Sequence, residues 1–369
     1  MRSVSVQSAS GSYEITIGPG ARSGIARLVG AAGVRAFIIT DTTVGRLHGR
    51  AVLDACGPAA TLTAVRPGER SKTLATAGRL YDWLAEARAE RTDLVVALGG
   101  GVVGDLAGFV AATWMRGVPL VQMPTTMEAA LDASVGGKTG VNHPRGKNLV
   151  GAFHAPRAVL IDTDLLATLP ERDRRAGLAE SVKHAAVVDP ALLEWQEQNA
   201  EAILAGSVTE VAELIARNCE IKAGVVSRDE REHDLRAILN HGHTVGHALE
   251  HVLGYKLRHG ECVALGMVVE NELARARGML SAADALRVRD LLERLRLPVR
   301  LPRAVEAGAV LEASRSDKKS AGGAVRYVLL AGLGAPQRVA DVRDEEVTAA
   351  LRIIAPGAEQ AHGAIVGRR

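Results

Sequence analysis

A run of glycines directly after a continuous apolar segment constrains the fold of this chain more than any other feature. Leu94 to Leu98 is apolar throughout, which is typical of a strand buried on both faces of a sheet. It runs into Gly99-Gly100-Gly101-Val102-Val103-Gly104-Asp105, and a helix is predicted from there to about Trp114. Glycines let the backbone approach a pyrophosphate, whose charge the amides and the helix N-terminus stabilise. The segment therefore predicts a dinucleotide-binding turn.

The carboxylate that would hold the ribose of such a nucleotide is missing from its usual place. The ordinary fingerprint has an Asp or Glu about 20 positions after the glycines, and this chain has none there. Asp41 ends a β-rich run from Arg35 to Thr40. We predict that Asp41 takes this role, so that the nucleotide lies across several strand ends.

Strands and helices alternate through the first part of the chain. Tyr13–Ile17, Thr61–Val65 and Leu120–Met123 are further predicted strands, and residues 71–89 have helical spacing. This alternation predicts an α/β fold whose N-terminal domain is a Rossmann-like, mainly parallel sheet covered on both faces.

The strand pattern fades after residue 169, where Ala-, Leu-, Glu- and Arg-rich stretches begin. Helical segments are predicted at 171–188, 191–227, 240–253, 261–277 and 281–295, with one late strand at 325–330. We therefore expect two domains. A nucleotide-binding α/β domain would span 1–168, and an all-helical domain carrying the metal and substrate residues would span 169–369.

Charge and composition limit the partners. The net charge of +3 is too small to indicate nucleic acid, and no dense Lys/Arg run is interleaved with aromatics. No apolar run reaches membrane-spanning length, and the N-terminus lacks a signal-like apolar stretch. Cys56, Cys219 and Cys262 form no CxxC pair, as expected of buried thiols in a reducing compartment. We expect a cytoplasmic protein that binds neither nucleic acid nor membrane.

Five of the eleven histidines lie between residues 239 and 261. His243, His247 and His251 recur every four positions and so share one face of a helix, and His259 follows a loop-like segment. Neutral imidazoles with a carboxylate suit Zn or a similar divalent ion. Such histidines also cap helices and satisfy core hydrogen bonds, but their concentration in one stretch favours a metal site.

Two further segments offer charged groups to such a site. Glu180 shares a helical face with Lys183 and His184, and it is either a third metal ligand or a solvated carboxylate. The segment 132–148 combines glycines, hydroxyls and two lysines, which suits phosphate, although a Gly-rich surface loop would have the same composition. The pair at 318–319 is another possible cation source.

The order of these motifs closely resembles the 3-dehydroquinate synthases of the shikimate pathway, which leads to the aromatic amino acids. The resemblance extends from about residue 41 to about residue 330. The segments that carry it are GGGVVGDLAGF (99–109), DASVGGKTGVNHPRGKNLVGAFH (132–154), LAESVKH (178–184), RAILNHGHTVGHALE (236–250) and HGECVALGM (259–267).

The resemblance implies a lyase that uses NAD and a divalent metal, Zn or Co. Members of the family convert 3-deoxy-D-arabino-heptulosonate 7-phosphate to 3-dehydroquinate and phosphate. By matching positions, the implied metal ligands are Glu180, His243 and His259. The implied NAD contacts are Asp41, Glu69, Lys72, Gly100, Gly101, Val102, Val103, Gly104, Asp105, Thr125, Thr126, Lys138, Lys147 and Thr168. The implied substrate and catalytic residues are Asp132, Lys138, Asn148, Lys183, Lys222, Arg236, Asn240, His247 and Lys318 or Lys319.

The same resemblance implies a homodimer and a reaction course. Arg116 matches a position that reaches the phosphate of a neighbouring subunit. NAD takes a hydride from C5, phosphate leaves by β-elimination, the hydride returns, and an aldol reaction closes the ring. The leaving phosphate can itself accept the C6 proton, and His247 is the predicted proton shuttle.

Two departures from the family pattern leave alternatives open. His241 stands where an aromatic residue is usual, and Glu128 stands where small or apolar residues are common. Both are either neutral changes or signs of an altered substrate. An aminodehydroquinate synthase, or a related sugar phosphate cyclase of secondary metabolism, is the main alternative. A metal-dependent polyol dehydrogenase and a non-catalytic binding paralogue are less favoured.

Overall fold

A computed structural model describes residues 1–9, 11–30, 33–232, 234–318 and 325–356, with the backbone alone at 316–318. The chain divides into two compact units. The first comprises Met1–Leu178 and Ala202–Arg236, and the second comprises Ala179–Glu201 and the chain from Ala237 onward. These units are discontinuous in sequence, and the predicted division into 1–168 and 169–369 stays a prediction.

The first unit is built on a seven-stranded, mostly parallel sheet, as predicted. Its strands follow the order β1-β2-β9-β6-β5-β3-β4, and only β1 and β2 pair antiparallel. A separate antiparallel hairpin contains β7 and β8. The strands are β1 (Arg2–Ser8), β2 (Gly11–Gly18), β3 (Ala36–Asp41), β4 (Thr61–Val65), β5 (Leu94–Gly99), β6 (Leu120–Pro124), β7 (Lys138–His143), β8 (Gly146–Phe153) and β9 (Ala158–Asp162).

The strand order changes direction between β3 and β5. β4 lies on one side of β3 and β5 on the other, so the loops that leave these strands diverge at their carboxyl ends. The register pairs Thr40 with Leu98, and Gly99 with Pro124, so that Asp41 and the glycine run emerge at the same edge. Nucleotides bind at this kind of edge in open α/β sheets.

β5 is buried along its whole length because both faces of the sheet are covered. Val95 and Ala97 pack into one apolar cluster with residues of α4 and α5, whereas Val96 and Leu98 pack into a second cluster on the opposite face. This explains why the strand is continuously apolar and does not alternate.

The helices of the first unit largely follow the predicted spacing. The segment predicted as one helix over 191–227 is two helices, because Gly206 takes a φ of 77° between them. α7 and α8 each contribute to both units. The helices are α1 (Ile25–Val29), α2 (Thr42–Val44), α3 (Arg50–Cys56), α4 (Leu74–Glu86), α5 (Gly101–Thr113), α6 (Thr163–Leu166), α7 (Glu171–Val187), α8 (Pro190–Ala205) and α9 (Val208–Arg228).

The second unit is mainly helical, and it contains one two-stranded antiparallel hairpin. The strand predicted at 325–330 is the first strand of that hairpin. Besides the parts of α7 and α8, its elements are α10 (His243–Val252), α11 (His259–Ala276), α12 (Ala282–Arg294), α13 (Ala307–Lys318), β10 (Tyr327–Leu330), β11 (Pro336–Val339) and α14 (Asp344–Leu351). Among the described residues, no helix is both long and apolar enough to cross a membrane.

Candidate active site

The glycine run in the first unit forms a close-packed turn between β5 and α5. Gly100 is the N-cap of α5 and offers no side-chain cap, so the helix amides there depend on other acceptors. A Cβ on Gly100 would lie 2.7 Å from Cγ2 of Thr126, and one on Gly104 would lie 2.9 Å from Oε1 of Gln122. A larger residue at either position would therefore require its neighbour to shift, and a helix N-terminus of this kind suits an anion.

A small pocket opens beside this turn. Ser134 lines it, and its hydroxyl is buried with no hydrogen-bond partner among the described residues. The other lining residues are Gly99, Gly100, Gly101, Gly104, Gln122, Ala129 and Ala133. Ser134 was not predicted as a site residue, because a serine in a Gly-rich segment has no distinctive spacing.

Lys72 and Asp105 form an ion pair next to the start of α5, in which the lysine is buried and the carboxylate is partly exposed. The Lys72 side chain is only 5% exposed, and its Nζ lies 2.5 Å from Oδ2 of Asp105 and 2.5 Å from Oδ1 of Asn148. Burial raises the pKa of Asp105, and the Lys72 ammonium opposes that rise. Three predicted contacts from distant parts of the sequence therefore meet at one point.

The segment 132–148 is a hairpin and not a loop over most of its length. Lys138 lies on β7 and Asn148 on β8. Asn142 joins this hairpin to the turn before α4, because its backbone N donates to Lys72 O at 2.8 Å and its side chain donates to Glu69 Oε1 at 2.7 Å. Residues 138–143 pair with 146–153 in an antiparallel ladder, so the alternative of a Gly-rich loop does not describe these residues.

Several cations in the first unit are held by oxygen acceptors. Lys222 Nζ lies 2.8 Å from Oδ1 of Asp132, and Lys138 pairs with Glu232. Arg236 donates from Nη1 to the carbonyl oxygens of Gly136 (3.1 Å) and Glu230 (2.7 Å), and burial lowers its pKa. Lys222 and Arg236 are 4% and 3% exposed, so their charges require nearby anions or carbonyl groups.

The other predicted site residues of this unit lie in different local surroundings. Asp41 caps α2, where its Oδ1 accepts from the amides of Thr43 and Val44. Thr168 Oγ1 lies 2.8 Å from Nε2 of His48. Thr125 donates its amide to Gly99 O, and Thr126 caps the turn that follows β6 through the amide of Ala129. Lys147 and Arg116 are exposed.

The second unit brings Glu180, His243 and His259 together. Glu180 Oε1 lies 3.5 Å from Nε2 of His243 and 3.6 Å from Nε2 of His259. Glu180 comes from α7, His243 begins α10, and His259 begins α11, so three helices position these groups. Ligand atoms about 2.1 Å from a tetrahedral ion lie about 3.4 Å apart. The spacing and the chemistry of this donor set therefore fit a divalent metal.

His247 belongs to the same cluster. Its ring centroid lies 5.3 Å from that of His243 and 5.5 Å from that of His259, and the three imidazoles can place one nitrogen each within 4.8 Å of one another. His251, also on the predicted helical face, is exposed and contacts the ring of Tyr255. Of the three helical histidines spaced four residues apart, His243 and His247 therefore belong to the cluster and His251 does not.

Oxygen acceptors lie beside the Nδ1 atoms of the two histidines that were predicted as ligands. His243 donates from Nδ1 to His241 O at 3.2 Å, which leaves Nε2 as the lone-pair nitrogen facing Glu180. His259 Nδ1 lies 3.7 Å from Oε2 of Glu250. Burial holds the pKa of His243 well below its usual value, although the Glu180 carboxylate opposes this. Neutral imidazoles with supported Nδ1 atoms are typical of metal ligands.

Two profiles of one protein family match this chain in sequence. The 3-dehydroquinate synthase N-terminal profile matches residues 62–176, and the C-terminal profile matches residues 177–320. The chain belongs to the 3-dehydroquinate synthase family.

One protein named as a member of this family and two related enzymes of known structure are similar to this chain over most of its length. A protein of Geobacter metallireducens named 3-dehydroquinate synthase is 48% identical over 88% of this chain and 91% of its own length. A structure of 2-deoxy-scyllo-inosose synthase with carbaglucose-6-phosphate, NAD+ and Co2+ covers 95% of this chain and 99% of its own, with TM-score 0.88 and 26% identity. The 2-epi-5-epi-valiolone synthase of Streptomyces hygroscopicus, with NAD+ and Zn2+, covers 92% and 95%, with TM-score 0.83 and 30% identity.

The remaining implied residues of the 3-dehydroquinate synthase set lie in different surroundings. Lys183 is 2% exposed and pairs with Glu180, whereas Asn240 is exposed at the end of a 3-10 turn. The side chain of Lys318, and all of Lys319, lie outside the described residues.

Two further polar residues lie beside predicted site residues, and the sequence patterns did not identify them. Glu232 pairs with Lys138, and Glu250 lies beside His259. Glu250 follows His247 by three positions, so the helical spacing used for the histidines would also have placed it on that face.

Proposed function

We propose that this chain catalyses the 3-dehydroquinate synthase reaction. The substrate would be 3-deoxy-D-arabino-heptulosonate 7-phosphate, and the products 3-dehydroquinate and phosphate. The observation that carries the proposal beyond family membership is a set of three buried cations, Lys183, Lys222 and Arg236, each 2–4% exposed. Carboxylates and carbonyl groups of the protein contact these cations, and a substrate with a phosphate and a carboxylate would give them further acceptors. Simple polyol oxidation would require no such set.

Each unit supplies a separate part of the proposed chemistry. In the first unit, the glycine turn, Lys72 and Asp105 would bind NAD, which takes up a hydride from the substrate and later returns it. In the second unit, Glu180, His243 and His259 would hold Zn or Co, which acts as a Lewis acid toward the substrate hydroxyls. We also propose 1–168 as the NAD-binding domain and 169–369 as the domain for metal and substrate.

The side chains of the chain itself would orient the substrate and move protons. Lys138, Lys222 and Arg236 would bind its negative groups through charge-assisted hydrogen bonds, which fixes the direction of the leaving phosphate. His247, beside the two ligand histidines, would carry a proton on its imidazole between the substrate and solvent. Few other bases are required, because the departing phosphate can accept the proton lost from C6.

We further propose a homodimer in which Arg116 acts on the neighbouring subunit's substrate. Arg116 has a φ of 68° and is exposed, as are the apolar side chains of Met115, Leu149 and Phe153. Exposed apolar side chains are consistent with an interface, and Met115 adjoins Arg116 in the sequence. Sedimentation would test the dimer, and mixing Arg116→Ala protein with a second inactive variant would test for shared sites.

The cytoplasm is the proposed compartment. Cys56, Cys219 and Cys262 are all buried free thiols. Burial raises the pKa of Cys56 to about 11 and that of Cys219 to about 12, so these groups are unreactive thiols and not disulfide precursors.

Phosphate release from 3-deoxy-D-arabino-heptulosonate 7-phosphate, with catalytic NAD and Zn or Co, tests the proposed reaction. A chelator control and simultaneous NADH absorbance complete the experiment. Chelator-sensitive phosphate release without net NADH is the expected result. Net NADH would indicate a polyol dehydrogenase, and a preference for the 4-amino analogue, assayed in parallel, would indicate an aminodehydroquinate synthase.

A further inference from the structure

A carboxylate and a histidine, both fully buried, meet at the turn that begins α10. We propose that Glu270, together with His241, is a positioning residue for the metal ligand His243. Both side chains are 0% exposed. The inference rests on the proposed metal site, and it concerns how the second unit holds one ligand of that site in place.

The turn cannot cap its own helix. Its N-cap is Gly242, with a φ of 77°, and it provides no side-chain acceptor for the first amides of α10. A Cβ at this position would lie 2.6 Å from Cγ of Met267 and 2.9 Å from the carbonyl oxygen of Val263. Ser, Thr, Asp and Asn, the usual capping residues, are therefore excluded by the close approach of α11.

Glu270 supplies the missing cap from α11. Its Oε2 accepts from the amide of Gly242 at 2.8 Å, and its Oε1 accepts from the amide of Val245 at 3.3 Å. A carboxylate at a helix N-terminus is also stabilised by the helix dipole. These two amides provide the buried carboxylate with hydrogen-bond donors, which offset the cost of removing it from water.

His241 connects this cap to the metal ligand. Its Nδ1 lies 2.7 Å from the carbonyl oxygen of Val328 on β10. Because a carbonyl only accepts, Nδ1 carries a proton, and Glu270 Oε2 lies 3.4 Å from the same nitrogen. The backbone carbonyl of His241 in turn accepts from Nδ1 of His243. A displacement of residues 241–242 would therefore rotate the His243 ring away from Glu180.

This arrangement explains the presence of a histidine where the family pattern usually has an aromatic residue. An aromatic hydrocarbon ring would fill the space but would give neither Val328 O nor Glu270 a donor. In this chain the buried acceptors at Val328 and Glu270 have a matching N–H, so His241 and Glu270 act as a pair.

Co2+ titration of metal-free protein tests the inference through the Kd and the visible absorption spectrum of the bound ion. The variants are Glu270→Gln, His241→Phe and the double variant. Glu272→Gln is the matched control, because Glu272 lies on the same helix and pairs with Arg275. In Glu270→Gln, an NH2 group replaces one of the two acceptor oxygens, so an N–H would face either the donors of Gly242 and His241 or the amide of Val245. We expect its Kd for Co2+ to rise about 10- to 100-fold with an altered spectrum, as for other outer-shell changes.

The remaining variants separate positioning from general stability. We expect His241→Phe to raise the Kd about tenfold, and the double variant to bind no more than about threefold more weakly than Glu270→Gln, since the two side chains act together. Glu272→Gln should match the wild type.

Wild-type Kd and spectrum in Glu270→Gln, even with a lower melting temperature, would overturn the inference while leaving the metal site intact. If Glu270→Gln does not fold, an unchanged Kd in His241→Phe overturns it. A wild-type protein that binds no Co2+ refutes the proposed metal site itself.

Discussion

The Nε2 atom of His259 lies 3.6 Å from Oε1 of Glu180, although the two residues are far apart in sequence. His259 is the first residue of α11, and its side chain is 27% exposed, so it contributes little to the core. We therefore expect His259→Ala to bind Zn or Co at least about a hundredfold more weakly, because even outer-shell changes cost about 10- to 100-fold. Turnover should be lost while the metal-free protein keeps a near wild-type melting temperature.

His251→Ala is the control for that experiment. His251 is a histidine of the same stretch, but its side chain is exposed and its ring lies beside that of Tyr255. Metal content by elemental analysis should be normal in His251→Ala and low in His259→Ala. Full metal content and activity in His259→Ala would refute the metal assignment.

The Lys72 ammonium is the basis of a second prediction. Its removal in Lys72→Met would leave Asp105 and Asn148 without the donor that each contacts at 2.5 Å. We expect the Kd for NAD to rise about 10- to 100-fold, and unfolding stability to fall by about 1–3 kcal/mol, because a buried acceptor loses its partner. Isothermal titration with NAD and thermal unfolding measure the two effects. Arg70→Gln, an exposed cation of the same turn, should change neither value.

Much of the parallel sheet was predictable because its signals are local. β4 was predicted at its observed bounds, and β5 was predicted to within one residue, since a strand buried on both faces must be continuously apolar. The hairpin at 138–153 was missed because its glycines and lysines are equally typical of a loop. Gly140 and Gly151 are present there because the two strands approach too closely for a Cβ, and only the tertiary structure reveals this.

The metal cluster was predicted in part for a similar reason. His243 and His247 share a helical face by spacing, His259 and Glu180 were candidates from their residue types and positions, and the family resemblance narrowed the implied ligands to Glu180, His243 and His259. Glu270 escaped prediction because its role depends on packing between α10 and α11. A glutamate in an apolar helix has no local signal that distinguishes a cap for another helix from a surface residue.

Glu346 gives a prediction about pH. Hydrogen bonds from Arg277 and from the Arg343 amide lower the pKa of Glu346 from 4.5 to about 2. Because the folded-state pKa is below the unfolded value, its stabilising contribution is complete above about pH 4.5 and is lost as the pH falls toward about 2. Both side chains are about one-fifth exposed, so we expect about 1 kcal/mol at neutral pH after solvent screening.

Melting temperatures of wild type and Glu346→Gln at pH 7 and pH 3 measure this contribution. Glu346→Gln should be less stable at pH 7, and the difference should shrink at pH 3. Glu345→Gln, at the adjacent exposed position, should match the wild type at both pH values. A difference that stays constant between the two pH values would show that the ion pair is not its source.

Substitution of Gly266 tests whether α10 packs closely against α11. This packing sets the positions of His243 and His259. A Cβ at Gly266 would lie 1.9 Å from the carbonyl oxygen of Gly242 and 2.8 Å from the amide nitrogen of Gly246. Both are backbone atoms, so no side-chain rotation can relieve the contact, and one helix must move. We expect Gly266→Ala to lose about 3 kcal/mol or more of unfolding stability, at the upper end for overpacking. Any folded fraction should bind Co2+ more weakly, because the displaced turn carries His243.

Gly78→Ala is the control, since Gly78 lies inside α4 with no atom within 4 Å of a built Cβ. It should be neutral or stabilising by up to about 1 kcal/mol, because Ala is the better helix former. Equal melting temperatures for the two variants would mean that α10 and α11 are not in tight contact, and the positions of His243 and His259 would then need another explanation.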